Sequence, residues 1–284
     1  MVRHPRLGHR RPHRPARHRR LHRETRCGRG RLARLLVRGV TLTGKTALVT
    51  GASTGIGKAI ARALAVAGAR VVVNHPHTPD SAARAVDEIR AAGGDAIEIA
   101  ADVRDRDEYA ALVAELLRVY GRWDILVNNA AVALTKPFHE VTGEEFDLSY
   151  AVNVKGVFHG LQLAWEHLAD NGRIITISSS TTALMLPGYA LYDSTKGAVE
   201  QFTRILSKDF GPRGITINTV SPGATETETY RTGKSAEFLA SLEQLSAFDR
   251  LGRPDDIAAV VAFLASDAAG WVTAQNIRVN GGTV

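Results

Sequence analysis

The sequence predicts a single α/β domain built on a doubly wound parallel sheet of about seven strands, with helices on both faces. Two observations support this fold class. From Thr41 onward, short apolar runs alternate with longer segments of helical character, and neither an internal repeat nor a long linker interrupts them. The first apolar run also ends in a glycine-rich loop that leads straight into an alanine-rich segment. Strands and helices that alternate in this way form parallel sheets joined by right-handed crossovers.

The element boundaries follow from the apolar runs, the alanine-rich segments and the glycine and polar residues between them. Strands are predicted at Ala47–Val49, Val71–Val73, Ala96–Ala100, Ile125–Val127, Arg173–Ile177, Ile215–Val220 and Asn276–Val279. Helices are predicted at Lys58–Gly68, Ser81–Ala92, Asp105–Tyr120, Gly143–Leu168, Tyr189–Phe210 and Pro254–Ser266. A polar segment, Thr225–Phe248, separates the sixth strand from the last helix.

The net charge of +7 is unevenly distributed along the 284 residues. Residues 1–40 contain 14 Arg and one acidic residue, Glu24, which leaves 22 basic and 28 acidic side chains in residues 41–284. The same 40 residues contain five His, three Pro and no Phe, Tyr or Trp, and such a composition cannot bury a core. We therefore expect a disordered extension over residues 1–40, best explained by a start site placed too early, and one folded domain over residues 41–284.

Two functional interpretations of the extension fit it less well. A nucleic-acid-binding arm would need aromatic residues for base stacking, and the acidic body does not favour a polyanionic partner. An organelle transit peptide would be rich in Ser, and this segment has none. We therefore expect no nucleic-acid partner.

The only cysteine, Cys27, lies in the extension, so the body can form neither disulfides nor thiolate metal sites. No apolar run is long enough to span a bilayer, and we expect a cytoplasmic protein without a membrane partner. His75 and His77 could share a face, but no third ligand is near in the sequence, and no metal site is expected.

The glycine-rich loop belongs to the stretch TALVTGASTGIG, Thr46–Gly57. A strand, a glycine loop and a helix in this order are typical of the first βαβ unit of a dinucleotide-binding Rossmann fold. Its glycines permit a tight turn and a close approach of the backbone to a pyrophosphate, which the helix N-terminus then stabilises. The loop residues expected to contact the cofactor are Gly51, Ser53, Thr54, Gly55, Ile56 and Gly57.

Tyr192 and Lys196 stand four residues apart in YDSTK and therefore share one face of a predicted helix. A tyrosine hydroxyl titrates near pH ~10, and a neighbouring ammonium favours the phenolate and can lower that pKa by several units. The pair is therefore a candidate for general acid–base catalysis. An isolated YxxxK would more often be an exposed pair without a function, so the assignment depends on the motifs around it.

The chain resembles the short-chain dehydrogenase/reductase family over about Gly44–Gly282, nearly the whole body, and is closest in pattern to its 3-oxoacyl-carrier-protein reductase-like members. The resemblance rests on the glycine loop, Asp102-Val103, Asn128-Asn129-Ala130, Asn153, Ser179, the Tyr192–Lys196 pair, Pro222-Gly223, Thr227, Arg250–Pro254 and Val279–Gly282. Ser179 precedes Tyr192 by thirteen residues, which is the family's spacing. Two glycines of the family pattern are replaced here, by Ala131 and Ala274. Ala131 could narrow the space beside the nicotinamide, but we expect the backbone to tolerate it.

This resemblance implies a Rossmann-fold oxidoreductase that interconverts a carbonyl and a secondary alcohol with a nicotinamide cofactor. Ser179 would hydrogen-bond the substrate oxygen, and Tyr192 would exchange a proton with it. Lys196 would hold the phenolate form and bind the nicotinamide ribose, while Asn153 would anchor a water that links Lys196 to solvent. Ser178 and Ser180 flank Ser179, and only the spacing selects the middle serine.

The remaining cofactor contacts implied by the resemblance lie at the ends of the strands. They are Asn74, His75, Asp102, Val103, Asn129, Ala130, Pro222, Gly223, Thr225 and Thr227, together with Tyr192 and Lys196. Asn128 is open to two interpretations, a structural tie between strands or a ligand contact. NADP(H) is expected to be preferred over NAD(H), because Asn74-His75 stand where NAD enzymes of this fold carry an acid. Ser53, Thr54 and His75 could donate to a 2′-phosphate.

The sequence does not choose the substrate. We expect a partly apolar carbonyl compound in a pocket lined by Leu134, Phe138, Leu184, Met185 and Tyr189, with Thr225–Phe248 as a lid. A 3-oxoacyl-carrier-protein reductase is the more specific alternative, and a non-catalytic dinucleotide-binding sensor is the alternative from another class. The resemblance also implies a homotetramer, or at least a homodimer, formed through the helices at Gly143–Leu168 and Tyr189–Phe210.

Overall fold

A computed structural model describes residues 40–228, 230 and 235–284, so nearly all of the predicted extension at residues 1–40 lies outside the described residues. The predicted seven-stranded parallel sheet is confirmed, with the strand order β3-β2-β1-β4-β5-β6-β7. The strands are β1 (Thr46–Val49), β2 (Arg70–His75), β3 (Asp95–Ala100), β4 (Ile125–Asn128), β5 (Arg173–Ile177), β6 (Thr216–Pro222) and β7 (Asn276–Val279).

Helices cover both faces of the sheet. They are α1 (Gly55–Val66), α2 (Pro79–Ala91), α3 (Arg106–Tyr120), α4 (Gly143–Tyr150), α5 (Gly156–His167), α6 (Ala190–Phe210), α7 (Ala236–Leu245) and α8 (Pro254–Ala265). One buried cluster packs α1, α2 and α8 against one face of the sheet, and a second packs α3, α5 and α6 against the other. In the described part of the chain, no helix is both long enough and apolar enough to cross a membrane.

Local sequence signals explain where these helices begin and end. The Asp105 carboxylate accepts hydrogen bonds from the backbone N–H groups of Asp107 and Glu108, which caps α3 at its N-terminus. Gly121 then ends α3 in the left-handed conformation, with φ 75°. At α4, Thr142 and Glu145 form a reciprocal capping box.

Two segments differ from the predicted elements. The long helix predicted at Gly143–Leu168 is divided by a widened π-helical turn, Ala151–Lys155, which carries Asn153. The polar segment Thr225–Phe248 contains helix α7, which the prediction omitted and whose N-terminus Ser235 caps. Part of that segment, Thr229 and residues 231–234, lies outside the described residues.

The strand order creates the crevice in which the site lies. β1 pairs with β2 on one side and with β4 on the other, so the chain reverses its winding direction between β1 and β4. In an open parallel sheet, the loops at the carboxyl ends of the strands diverge at such a point and leave a crevice for a ligand. The loops that follow β1, β4 and β5 therefore face one another across it.

Ala274, one of the two alanines that replace a family glycine, has a left-handed backbone with φ 60°. Its N–H donates to the carbonyl of Ile217 at 2.8 Å, which holds the turn before β7 in this conformation. An L-residue in that region costs about 1–2 kcal/mol, because its Cβ crowds the following carbonyl. The substitution is therefore accommodated with strain.

We expect Ala274→Gly to raise the free energy of unfolding by about 1 kcal/mol, because glycine adopts positive φ without this steric cost. Ala131→Gly is the matched control: Ala131 also replaces a family glycine but is not among the residues with positive φ. The control should leave stability unchanged or lower it slightly, since glycine adds backbone entropy to the unfolded chain. Urea denaturation of both variants measures the difference, and equal shifts would contradict the assignment of strain to Ala274.

Candidate active site

The glycine loop after β1 is close-packed, and its glycines are required by contacts. A Cβ on Gly51, which has φ 61°, would lie 2.9 Å from the Cα of Ala130. A Cβ on Gly57 would press against the carbonyl of Gly51 and lie 2.5 Å from Nδ2 of Asn129. The loop therefore lies directly against the end of β4, and side chains at these positions would force the two apart.

Asn129 and Thr50 hold the loop in this position. The Asn129 amide donates to the carbonyls of Thr50 and Gly51, both at 2.9 Å. The Thr50 hydroxyl accepts from the N–H groups of Asn129 and Ala130 at 2.9 and 3.0 Å. The side chain of Asn129 is thus engaged with the protein's own backbone. Thr54 precedes α1 without a side-chain capping bond, so it does not occupy the helix N-terminus at which a phosphate would bind.

Asn128 ends β4 in a buried position. Its amide donates to the Thr176 hydroxyl at 3.4 Å, and a Cβ on Gly160 would lie 2.8 Å from its Oδ1. These contacts support the structural interpretation of Asn128, a tie between β4 and β5.

The end of β2 carries no carboxylate, and both residues there are buried. Asn74 donates to the carbonyls of Ile99 and Ala101 at 3.3 and 3.0 Å. The Nδ1 atom of His75 accepts from the Thr78 N–H at 3.1 Å, and its Nε2 lies 3.8 Å from Glu98. Burial lowers the pKa of His75, which favours the neutral ring. The ring predicted to contact a cofactor phosphate is therefore already engaged with the chain itself.

Asp102 and Val103 follow β3 at the edge of the crevice. Arg104 binds the Asp102 carboxylate with two guanidinium nitrogens, at 2.8 and 2.6 Å, and its hydrogen bonds lower the carboxyl pKa. Val103 is buried. It packs closely against Gly156, where a Cβ would lie 2.8 Å from its Cγ2, and Nδ1 of His159 lies 3.1 Å from its carbonyl. His159 is thus a buried packing residue.

Lys196 is almost fully buried on helix α6, at 3% exposure. Its ammonium donates to the carbonyl of Ile177, the last residue of β5, at 2.9 Å, and lies 5.6 Å from the centroid of the Tyr192 ring. Burial lowers the Lys196 pKa from 10.5 to about 8, and the Glu200 carboxylate acts in the opposite direction. Tyr192 and Lys196 therefore share one face of α6, as their spacing predicts.

The lowered pKa expected for Tyr192 is not observed. The Tyr192 pKa is raised from 10.0 to about 12, mainly by burial and also by the charge on Asp193 and the nearby Tyr189. The neighbouring Ser179 hydroxyl acts against these effects. The prediction weighed the ammonium of Lys196 but not the cost of moving a phenolate away from water, which is the larger effect here.

The three consecutive serines after β5 have different partners. Ser178 donates to the Glu200 carboxylate at 2.6 Å, and Ser180 donates to the carbonyl of Ser221 at 3.0 Å. The Ser179 hydroxyl lies 2.7 Å from the Thr181 hydroxyl and accepts from the Thr181 N–H at 3.2 Å. Ser179 thus adjoins Tyr192, while both of its neighbours are occupied elsewhere.

Asn153 lies in the widened turn between α4 and α5 and is 1% exposed. Its Oδ1 accepts from the Val132 N–H at 2.8 Å, and its Nδ2 donates to the Val132 carbonyl and the Thr195 hydroxyl at 2.9 and 3.0 Å. The side-chain amide therefore fastens the segment after β4 to α6.

A cleft of about 480 Å³ opens between these elements. Its lining includes Ser179, Leu184, Tyr189, Tyr192, Pro222, Gly223, Thr225 and Thr227, together with Ile56 of the glycine loop. Leu242 and Leu245 of α7 also line it, so the described part of the predicted lid does contribute to the wall.

The predicted pocket lining is only partly correct. Leu184 and Tyr189 line the cleft, but Leu134, Phe138 and Met185 do not. Phe138 and Met185 are 75% and 92% exposed. Ala133 and Thr135 line the wall in place of Leu134, because side chains of an extended segment alternate and the prediction was one residue out of register.

Two polar side chains that contact the site were not predicted from the sequence. Thr181 hydrogen-bonds Ser179, and Asp193 accepts from Thr181 at 2.5 Å. Asp193 adjoins Tyr192 within YDSTK, so an acidic residue inside the motif was the available signal. Within the described residues, no three His, Cys, Asp or Glu side chains are grouped so as to hold a metal ion.

Residues 51–284 match the family model described as enoyl-(acyl carrier protein) reductase. The chain is 42% identical over 254 residues to versicolorin reductase 1 of Aspergillus parasiticus, covering 85% of this chain and 97% of the relative. Among solved structures, it is 42% identical to the angucycline C-6 ketoreductase LanV with bound NADP, with TM-score 0.82, covering 86% of this chain and 97% of that one. A short-chain dehydrogenase from Burkholderia cenocepacia in complex with NADP is 35% identical, with TM-score 0.80, over 85% of this chain and 98% of that one.

Proposed function

The chain belongs to the short-chain dehydrogenase/reductase family, and on that premise we propose that it reduces a carbonyl group to a secondary alcohol with NADPH, through Ser179, Tyr192, Lys196 and Asn153. The matches to the family model and to the relatives confirm the family resemblance that the sequence motifs indicated. The observation that carries the proposal is that Ser179 and Tyr192 line one cleft where the loop after β5 meets α6, with the Lys196 ammonium held nearby by the Ile177 carbonyl.

Tyr192 is the proposed proton donor. With a pKa of about 12, its phenol is protonated at neutral pH, which is the form required to protonate a carbonyl oxygen. The same value disfavours the phenolate that alcohol oxidation needs. Ser179 would stabilise the negative charge that develops on the substrate oxygen.

Lys196 and Asn153 have supporting roles in this arrangement. One ammonium proton of Lys196 goes to the Ile177 carbonyl, which leaves two donors for the ribose hydroxyls of a nicotinamide nucleotide. The Asn153 side chain has its carbonyl and both amide protons engaged. A water anchored at this position, as the family resemblance implies, would therefore bond the main chain of the widened turn or the second lone pair of Oδ1.

The crevice fits a dinucleotide. Gly51 precedes α1 and Gly57 stands in its first turn, and both let the loop pack closely against the end of β4 beside the helix N-terminus, where a pyrophosphate can bind. Asp102 and Val103 would border the adenine, and Pro222, Gly223, Thr225 and Thr227 the nicotinamide. The bound nucleotide supplies the hydride, while the chain's residues position it and manage the proton.

Since residues 41–284 contain no cysteine that would need an oxidising compartment, we place the enzyme in the cytoplasm.

NADP(H) is the proposed cofactor, with NAD(H) as the weaker alternative. Two of the solved relatives carry NADP. Neither Asn74 nor His75 at the end of β2 is itself acidic, and the hydroxyls of Ser53 and Thr78 lie together, 2.9 Å apart. With the His75 ring engaged by Thr78 and close to Glu98, these hydroxyls are the better candidates for phosphate donors.

We expect His75→Asp to lower kcat/KM for NADPH by at least ~10-fold relative to NADH, because a carboxylate at this position repels a 2′-phosphate and can bind ribose hydroxyls. Both Asp and Asn can accept from the Thr78 N–H in place of the ring. His75→Asn is therefore the matched control, and it should keep the wild-type preference. Steady-state kinetics with both nucleotides measure the change, and an unaltered ratio in His75→Asp would refute this placement of the 2′-phosphate.

A fused-ring aromatic ketone is the proposed substrate class. The relatives include a hydroxynaphthalene reductase-like protein, and LanV has been solved with rabelomycin. In this chain, the rings of Tyr189 and Tyr192 meet edge to face at 6.5 Å beside the apolar side chains of Leu184, Leu242 and Leu245. Such a wall suits a flat apolar ring system. A 3-oxoacyl thioester is the second candidate, favoured by the carrier-protein description of the matched family model.

A panel of ketones tests this function and separates the candidates. NADPH oxidation is followed with 1-tetralone, a steroid ketone and an acetoacetyl thioester. The proposal predicts the highest kcat/KM with 1-tetralone, whereas a carrier-protein pathway enzyme would prefer the thioester. Nucleotide binding without turnover of any ketone would instead indicate the non-catalytic dinucleotide-binding sensor.

We expect Tyr192→Phe to reduce turnover of the best ketone by ~10²–10⁴-fold, because the variant removes the proton donor at the substrate oxygen. Phenylalanine keeps the ring, so NADPH affinity should remain within a few fold. Tyr189→Phe is the matched control, since it removes a phenol hydroxyl from the same wall. Near-normal turnover in Tyr192→Phe would show that another group supplies the proton.

A homotetramer, or at least a homodimer, is proposed through the outer faces of α5 and α6. These faces expose Phe158, Trp165 and Ile205 at 43%, 50% and 62%. Phe158 and Trp165 also border an apolar groove of about 650 Å³ between the two helices, together with Leu161, Phe202 and Leu206. An exposed apolar area of this kind is typical of protein–protein interfaces.

We expect Ile205→Glu to dissociate the assembly, because it would place a carboxylate on this apolar face without a partner. Val119→Glu, on the exposed surface of α3, is the matched control and should leave the assembly intact. Light scattering at micromolar concentration gives the particle mass. A wild-type particle of about 30.6 kDa, the mass of one chain, would exclude the assembly itself.

A further inference from the structure

Three side chains form a continuous hydrogen-bonded chain beside the reacting centre. The Ser179 hydroxyl lies 2.7 Å from the Thr181 hydroxyl, and the Thr181 hydroxyl lies 2.5 Å from a carboxylate oxygen of Asp193. Thr181 also fixes the position of Ser179, because its backbone N–H donates to the serine oxygen at 3.2 Å. This chain joins the loop after β5 to the first turn of α6, one residue beyond Tyr192.

The direction of these hydrogen bonds follows from counting protons. An ionised carboxylate only accepts, and each hydroxyl has a single proton to donate. Thr181 therefore donates its proton to Asp193, and its oxygen can only accept from Ser179. We propose that Thr181 and Asp193 are positioning residues, which draw the Ser179 proton away from the substrate and leave an oxygen lone pair facing it.

This arrangement makes the hydrogen bond donated by Ser179 differ between the ground state and the transition state. A ketone oxygen only accepts hydrogen bonds, so Tyr192 alone serves it while Ser179 donates to Thr181. A developing oxyanion is a much stronger acceptor than a hydroxyl, because hydrogen bonds to ions are roughly twice as strong, and it draws the Ser179 proton from Thr181. The hydrogen bond from Ser179 to the substrate oxygen therefore forms only in the transition state, where binding energy accelerates the reaction.

The inference rests on the proposed carbonyl reduction and is tested with Thr181→Val, which removes the acceptor and keeps the side-chain shape. Ser179 then donates to the ketone in the ground state. We expect KM for the best ketone of the panel to fall by about 2- to 10-fold, the effect of one net hydrogen bond, and kcat to fall by the same factor, so that kcat/KM is unchanged. Because a mutation cannot alter the equilibrium constant, kcat/KM for alcohol oxidation should also stay unchanged.

Controls separate this effect from packing. Thr181→Ser keeps a hydroxyl and should behave as wild type. In a Ser179→Ala background, Thr181→Val should change nothing, because the residue acts through Ser179. Asp193→Asn offers an amide N–H that can donate to Thr181 and reverse the chain, so it should lower the ketone KM as Thr181→Val does. Asp87→Asn, on the exposed face of α2, makes the same charge change far from the cleft and should have no effect.

Two results would overturn the inference: a ketone KM that does not fall in Thr181→Val, or an effect of Thr181→Val that persists without Ser179. If the Thr181→Val variant does not fold, the Asp193→Asn variant takes its place as the test. An unchanged or raised ketone KM in Asp193→Asn would also overturn the inference. Failure of the wild-type chain to reduce any ketone of the panel would refute the proposed function instead. The two failures are therefore distinguishable.

Discussion

The burial of a lysine ammonium against the end of β5 is the interaction on which the rest of the site depends. Lys196 donates to the carbonyl of Ile177 and thereby joins α6 to the sheet, which places Tyr192 beside Ser179. Burial lowers its pKa from 10.5 to about 8, a difference that corresponds to about 3 kcal/mol at ~1.4 kcal/mol per pH unit. Between these two values the unfolded chain binds more protons than the folded one, so stability rises with pH there, and the full cost is present below about pH 8.

The surrounding residues offset the free-energy cost of burying the Lys196 ammonium, and their own arrangement depends on its position. Glu200, one turn further along α6, favours the ammonium and is itself held by the hydroxyls of Ser178 and Thr182 at 2.6 and 3.1 Å. On the other side of the crevice, Asn129 holds the glycine loop against the end of β4. The same low-polarity environment that lowers the Lys196 pKa raises that of Tyr192, so the two groups are held in the forms that reduction requires.

Sequence patterns predicted the framework because each signal there is local. β5 and β7 have the predicted bounds, since apolar runs and their polar borders define them. Helix α7 was missed because its segment is polar overall, and only the Ser235 cap marks its start. The pocket wall after β4 was predicted one residue out of register, because an extended loop without strand partners gives no signal for its facing direction. Its true lining, Ala133 and Thr135, depends on tertiary contacts.

The electrostatics of the site could not be predicted from spacing. YxxxK identifies which two residues are neighbours, but their pKa values depend on burial, which only the folded chain defines. The account is tested most directly by NMR titration of the Lys196 side chain in ¹³C,¹⁵N-lysine-labelled protein, with Lys196→Arg used to assign the signal. It predicts a midpoint near pH 8, well below those of exposed lysines. A midpoint at the usual value of 10.5 would show that the ammonium is not buried as described and would contradict the account.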